Sequence, residues 1–310
     1  MDPRPDPRRH AVGRRSTLVS VLINIVLSVV QMVIGLMAHS QALVADALHS
    51  ASDLLSDAVV LVANQHSQKA PDAEHQYGHL RFETAASLAL GAILLSVGAG
   101  MLWAAFMKLQ NPAVVPQVHG IALAVALVTL VAKEALFRYL LRQAGQVRSS
   151  MLVANAWHAR SDAASSLVVA IGIVANLAGF PLADPAAALI VGAMVARMGW
   201  RFFFHSFGDL MDRAVDRETE GRIRAELLAT PGVQGIHALK TRKLGDMIWV
   251  EVDLEMDATL TIAQGHAIAE AARANVMRAA PVLDVTTHFD PVDVAAHHSN
   301  PAARDTPPAA

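Results

Sequence analysis

Four stretches of the chain, positions 17–38, 84–107, 114–132 and 163–183, contain no Asp, Glu, Lys or Arg. A bilayer-spanning helix needs about 20 apolar residues, and each stretch meets or nearly meets that length. Two further apolar runs carry charge: 42–63 holds Asp46, His49, Asp53 and Asp57, and 185–207 holds Arg197 and Arg201. The pattern predicts six transmembrane helices, near 16–38, 42–65, 82–108, 117–140, 152–178 and 184–206. From Asp212 onward the periodicity changes to that of a water-soluble domain. Residues 217–230 read as a helix stopped by Pro231-Gly232. Residues 233–243 read as a strand. In 247–256, Ile248, Val250, Val252, Leu254 and Met256 alternate with Trp249, Glu251, Asp253 and Glu255, the signature of a half-buried strand. A second amphipathic helix over 261–279 and a third strand over 282–289 complete the order αββαβ. The expected fold is thus an α-helical membrane protein of six transmembrane helices followed by a small cytoplasmic α+β domain with helices on one sheet face. Its expected divisions are an N-terminal tail 1–15, a transmembrane domain 16–208, a regulatory domain 209–293 and a disordered tail 294–310.

Composition agrees with this division. Hydrophobic residues make up 54% of the chain and charged residues 17%, against roughly 25% charged in ordinary soluble domains. A disordered chain is excluded. The formal net charge of −2 gives no global electrostatic support for a nucleic-acid partner. Local charge sets orientation. The first 15 residues carry Arg4, Arg8, Arg9, Arg14 and Arg15, and the loops after the second and fourth helices carry Lys69 with Arg81 and Arg142 with Arg148. The opposite loops, 39–41, 110–118 and 179–183, have no Lys or Arg. The positive-inside rule places both termini in the cytoplasm. The Arg- and Pro-rich start lacks the apolar core of a cleavable signal peptide.

The chain has no cysteine. Thiolate metal sites, disulfides and cysteine nucleophiles are excluded, so any metal must be held by His, Asp or Glu. Ionisable groups within a membrane helix cost about 2.5–3.5 kcal/mol each on insertion scales and mark function by default. At 100° per residue, Asp46, His49, Asp53 and Asp57 fall within an arc of roughly 80°, one stripe along the second helix. His49 and Asp53 are one turn apart, and His158 and Asp162 repeat that spacing on the fifth helix. Two such pairs supply two imidazole nitrogens and two carboxylates, a tetrahedral set suited to Zn²⁺ and acceptable to Co²⁺ or Fe²⁺. The competing reading is a pair of buried polar contacts that hold helices together. For Asp46 and Asp57, helix capping, cavity hydration and proton relay stand beside ligation. The same imidazoles must lose protons to bind metal, which couples cation binding to proton release.

These residues also carry a resemblance. Ser40-Gln-Ala-Leu-Val-Ala-Asp46-Ala-Leu-His49-Ser-Ala-Ser-Asp53 is similar to the second-helix signature of the cation diffusion facilitator family, and His158-x-x-x-Asp162 resembles its fifth-helix partner. Asp72-Ala-Glu-His75-Gln-Tyr-Gly-His79 resembles a short cytoplasmic loop of bacterial members, and Leu210-Met-Asp212-Arg213 the start of the cytoplasmic domain. The resemblance spans about residues 15 to 293. It implies a homodimeric, multi-pass transporter of the bacterial inner membrane that expels a divalent metal in exchange for protons. It maps the transport site onto His49, Asp53, His158 and Asp162. Zn²⁺ is the expected ion, with Co²⁺, Cd²⁺, Fe²⁺ or Mn²⁺ as alternatives, because family members vary at the position of His49.

Two more clusters enter the picture. Asp72, His75 and His79 lie within eight residues and offer three N/O ligands, or else a solvated polar loop; the resemblance favours metal. In the metallochaperone-like domain, the resemblance aligns His237, Asp253, His266, His288 and Asp290 with a binuclear site at a dimer interface. It also suggests an ion pair between Arg81 and Asp212. An intramembrane metalloprotease needs His-Glu-x-x-His, which is absent from the sequence; an enzyme is not expected. A metal channel or a non-transporting membrane sensor remain as readings of another class.

Overall fold

The computed structural model describes residues 7–111, 116–147 and 150–292. Within them lie six long helices: α1 Pro7–Met37, α2 Gln41–Ser67, α3 Arg81–Gln110, α4 Gly120–Val147, α5 Ser150–Leu177 and α6 Ala183–Leu210. Two shorter helices and three strands follow: α7 Arg217–Leu228, β1 Gly235–Leu244, β2 Met247–Asp257, α8 Ile262–Ala279 and β3 Val282–Val292. The element order is the one predicted. α1 begins within the stretch read as the N-terminal tail, so its helix is longer than its apolar run. The predicted C-terminal tail, with His297 and His298, lies outside the described residues.

The chain forms two compact units, one of Met1–Val62 with Ser87–Phe204, the other of Ala63–Ala86 with His205–Ala310. Among the described residues, five helices, lying mostly in the first unit, are long and apolar enough to cross a membrane: Arg15–Met37, Arg81–Gln110, Gly120–Gln146, Asn155–Leu177 and Ala183–Leu210. α2 matches them in length, and its Asp and His residues are what lower its apolarity. The first unit is therefore a helical transmembrane region. Large apolar side chains such as Leu22, Val29, Trp103, Val131, Ile171 and Trp200 point outward, and the interior is filled by Ala38, Ala42, Leu43, Ala126, Val169, Ile173 and Val191. That inversion suits a lipid solvent, where small residues let helix backbones approach. α4 packs along α5, and α1 along α4.

α3 and α6 meet backbone to backbone at three glycines. A Cβ added at Gly91 would lie 2.4 Å from the Phe203 nitrogen, at Gly98 2.6 Å from the Ala196 nitrogen, and at Gly199 2.5 Å from the Leu95 nitrogen. The pairs 91 with 203, 95 with 199 and 98 with 196 run in one antiparallel register. Only glycine permits this closeness.

In the second unit the sheet order is β1-β2-β3, with β1 antiparallel and β3 parallel to the central β2. The alternation in β2 is realised: Val250, Val252, Leu254 and Met256 are buried against Ile223 and Leu227 of α7 and Ala269, Ala272 and Val276 of α8. Asp216 caps α7 by accepting from the Thr219 N–H, and Thr261 with Gln264 forms a capping box at α8. A register shift follows His237, where Ala238 takes a left-handed φ of 47°. Such a bulge re-aims the strand's end.

Candidate metal centres

α2 presents Asp46, His49, Ser50 and Asp53 inward. Asp46 is fully buried, and His49 and Asp162 are 6% and 8% exposed. Ligand atoms of His49, Asp53 and Asp162 all lie within 4.8 Å of one another. His49 Nδ1 sits 3.8 Å from Asp53 Oδ2, and that nitrogen is buried with no hydrogen-bond partner among the described residues. Two carboxylates this close repel unless a cation or a proton lies between them. An orphaned imidazole nitrogen beside two carboxylates fits a divalent ion as substrate.

His158 is the fourth residue of the predicted set. It stands one turn before Asp162, with Nε2 3.9 Å from Asp162 Oδ2, yet its side chain is 57% exposed and outside the close trio. The structure thus brings three of the four together and leaves the fourth at the rim. Asp57, at the open end of the stripe, is exposed.

Sequence reasoning missed a buried cation. Lys133 of α4 is 2% exposed, and its Nζ lies 3.5 Å from Asp46 Oδ2. The Lys133 ammonium donates to Ser166 Oγ at 2.9 Å, to Ser50 Oγ at 3.1 Å and to the Asp162 carbonyl at 3.4 Å. Asp46 also accepts from Gln31 of α1 and from Ser165 and Ser166 of α5. The signal for Lys133 was its place inside the predicted fourth helix. It went unread because it directly follows the charge-free run that ends at Ala132.

The loop before α3 forms the second cluster, within the second unit. Asp72 Oδ1 accepts from the backbone N–H of Glu74 at 3.0 Å and of His75 at 2.7 Å, which turns the chain. Gly78, at φ +79°, continues the turn. His75 Nδ1 and His79 Nε2 each lie 3.4 Å from Asp72, and the two rings are 4.4 Å apart beside Phe82. Ligand atoms of all three residues fall within 4.8 Å. The hydrogen bond donated by the His75 N–H holds the Asp72 carboxyl below the usual carboxylate range. The folded value is depressed, so the turn is stabilised at neutral pH and loses that support only as pH falls through the depressed value. Hydrogen exchange at the His75 amide, measured without metal, is therefore expected to stay slow down to the ordinary carboxylate pKa of about 3.9. An amide that exchanges freely at neutral pH would mean the turn is not held by Asp72.

In the sheet, His237, Asp253 and His288 form one lateral row across β1, β2 and β3. Asp290 bridges the row's ends: Oδ2 lies 3.6 Å from His237 Nδ1, and Oδ1 3.7 Å from His288 Nε2. Both imidazoles are about three-quarters exposed. His266, on α8, is exposed and makes no ion pair with this row among the described residues. Arg81 hydrogen-bonds Asp212. Arg242 Nη1 lies 3.8 Å from the other Asp212 oxygen, and its Nη2 3.5 Å from Glu251 Oε1. Tyr77 stacks edge-on to Trp249 with ring centroids 5.5 Å apart.

The description "Cation efflux transmembrane domain" matches residues 17–211, and "Cation efflux protein, cytoplasmic domain" matches 215–292. The chain belongs to the cation diffusion facilitator family. Its relatives include Metal tolerance protein C1 of Arabidopsis thaliana, 33% identical over 90% of this chain; the chain spans 62% of that relative's length. Magnetosome protein MamB of Paramagnetospirillum magneticum is 32% identical over 85% of this chain and 89% of its own. Manganese efflux system protein MneP of Bacillus subtilis is 31% identical over 91% and 97%. A solved MamM cytoplasmic domain in a copper form is 26% identical, covers 25% of this chain and 86% of its own, and has a TM-score of 0.24. The cation diffusion facilitator proteins are a family of multi-pass membrane transporters of divalent metal cations rather than of enzymes.

Proposed function

We infer that this protein expels a divalent metal ion across the bacterial inner membrane in exchange for protons, with both termini in the cytoplasm. The observation that carries the reading is the buried His49–Asp53–Asp162 cluster inside a bundle of apolar helices. His158, one turn from Asp162, completes the ligand set when α2 and α5 close on the ion. Protonation of the imidazoles competes with metal, so a proton gradient drives release. Zn²⁺ is the ion best matched to two imidazoles and two carboxylates. Mn²⁺ is the second reading, favoured by the oxygen-rich trio without His158 and by the manganese-efflux relative. The exposed row His237, Asp253, His288 and Asp290, with His266, is read as a regulatory site completed by a second copy of the chain in a homodimer. The loop site Asp72–His75–His79 is read as a delivery site.

The test is uptake by proteoliposomes offered Zn²⁺, Mn²⁺, Co²⁺, Fe²⁺ and Cd²⁺, with and without an acidic far side. Uptake that rises with the pH gradient is expected for one or two of these ions. Flux indifferent to the gradient would point to a channel, and absence of flux for all five to a sensor.

A further inference from the structure

The transport reading uses His49, Asp53 and Asp162 and leaves the buried Lys133–Asp46 pair without a task. An ion pair in a low-dielectric interior is costly to desolvate and is weak evidence for stability. Its retention inside a membrane bundle calls for a role. The pair is fully served: Lys133 Nζ reaches Asp46, Ser50, Ser166 and the Asp162 carbonyl, while Gln31, Ser165 and Ser166 donate to Asp46. Asp46 lies one turn before His49 on the same face of α2, close enough for an unpaired carboxylate there to act on the cluster. The cluster itself offers two carboxyl groups and one imidazole as ligands for a dication.

We propose that Lys133 sets the charge of the membrane cation site: by pairing with Asp46 it withdraws a third carboxylate from the His49–Asp53–Asp162 cluster. This rests on the transport reading only for its kinetic arm. Because the pair is neutral as a unit, removing either half perturbs the site in opposite senses. Asp46→Asn leaves an ammonium without its counter-ion beside the ion's seat and repels a dication. Lys133→Met frees a third carboxylate one turn from His49, which holds the ion more tightly and slows its release. The double variant restores neutrality.

The experiment measures Zn²⁺ and Mn²⁺ flux into proteoliposomes against metal concentration for the full chain and the three variants. Calorimetric binding of the same ions in detergent runs in parallel, with recovery checked by size exclusion. Asp46→Asn is expected to raise the apparent KM and the dissociation constant by about tenfold or more. Lys133→Met is expected to lower both and to reduce the maximal rate. The double variant is expected to return within about threefold of the unmodified chain in each. If Asp46 is itself a ligand, the double variant stays as weak as Asp46→Asn and the proposal is overturned. If both single variants move KM in the same direction, or neither moves it, the role is structural and the proposal is also overturned. Should Lys133→Met not be recovered folded, Asp46→Asn against the double variant decides alone. An unmodified chain that binds metal but moves none sinks the transport reading, and the binding arm still decides the role of Lys133.

Discussion

Asp53→Ala and Asp162→Ala are each expected to abolish metal flux while the chain still inserts and folds. The two carboxylates come from different helices, α2 and α5, and converge with His49 within 4.8 Å. On the proposed reading each carboxylate would face the ion directly, in a bundle where water screens little. Losing even an outer-shell partner of a metal costs roughly 10–100-fold in affinity, and losing a ligand that carries charge costs more. Folding should be spared, because each change removes a buried charge that its neighbour repels. The measurement is initial flux per folded protein in proteoliposomes. Wild-type flux from either variant would mean the ion takes another path.

The second large effect is structural. Gly98→Val should destabilise the transmembrane unit, seen as a drop in its thermal unfolding midpoint in detergent. A Cβ there would meet Ala196 backbone atoms at 2.6 and 2.7 Å, and backbone cannot step aside as a flexible side chain can. Overpacking of a tight interior costs typically 1–3 kcal/mol, and roughly the upper end or beyond applies here. Gly100→Ala is the control. Gly100 lies two residues away on α3 with nothing within 4 Å of its added Cβ, so alanine should be neutral or mildly stabilising there. Equal midpoints for the Gly98 and Gly100 variants would show that the α3–α6 seam is looser than described.

Much of this was legible in the sequence for simple reasons. Charge-free runs marked the helices, and strict alternation from Ile248 to Met256 marked the central strand, because one face of that strand packs on helices and the other does not. The stripe from Asp46 to Asp57 was visible because carboxylates are conspicuous among apolar residues. What was not legible depended on contacts between elements. Gln31, Ser165 and Ser166 are neutral and blend into a membrane helix, so their convergence on Asp46 left no periodic trace. Lys133 looked like the flank of an apolar run until α5 was packed against α4. The exposed rim position of His158 follows from side-chain direction, which a four-residue spacing does not specify. The displacement after His237 arises from one left-handed residue, Ala238, an alanine that no turn rule marks for that conformation.

The glycine seam between α3 and α6 bears on motion as well as stability. Helices slide past each other when the side chains between them can change rotamer, and hinge when a loop absorbs the change. Where Gly91, Gly98 and Gly199 bring the backbones together, only backbone and Cβ atoms lie between the helices, and a shift along the seam would drive Phe203, Leu95 or Ala196 into solid backbone. α3 and α6 should therefore travel as a single strut. In a transporter that exposes its ion first to one side and then to the other, the rearrangement would fall to α1, α2, α4 and α5. Those four helices are linked by Gln31, Asp46, Ser50, Lys133, Ser165 and Ser166, while Asp184 of α6 accepts from Ser40 and the Gln41 N–H at the start of α2, so the core would rock against the α3–α6 spine about that tethered end.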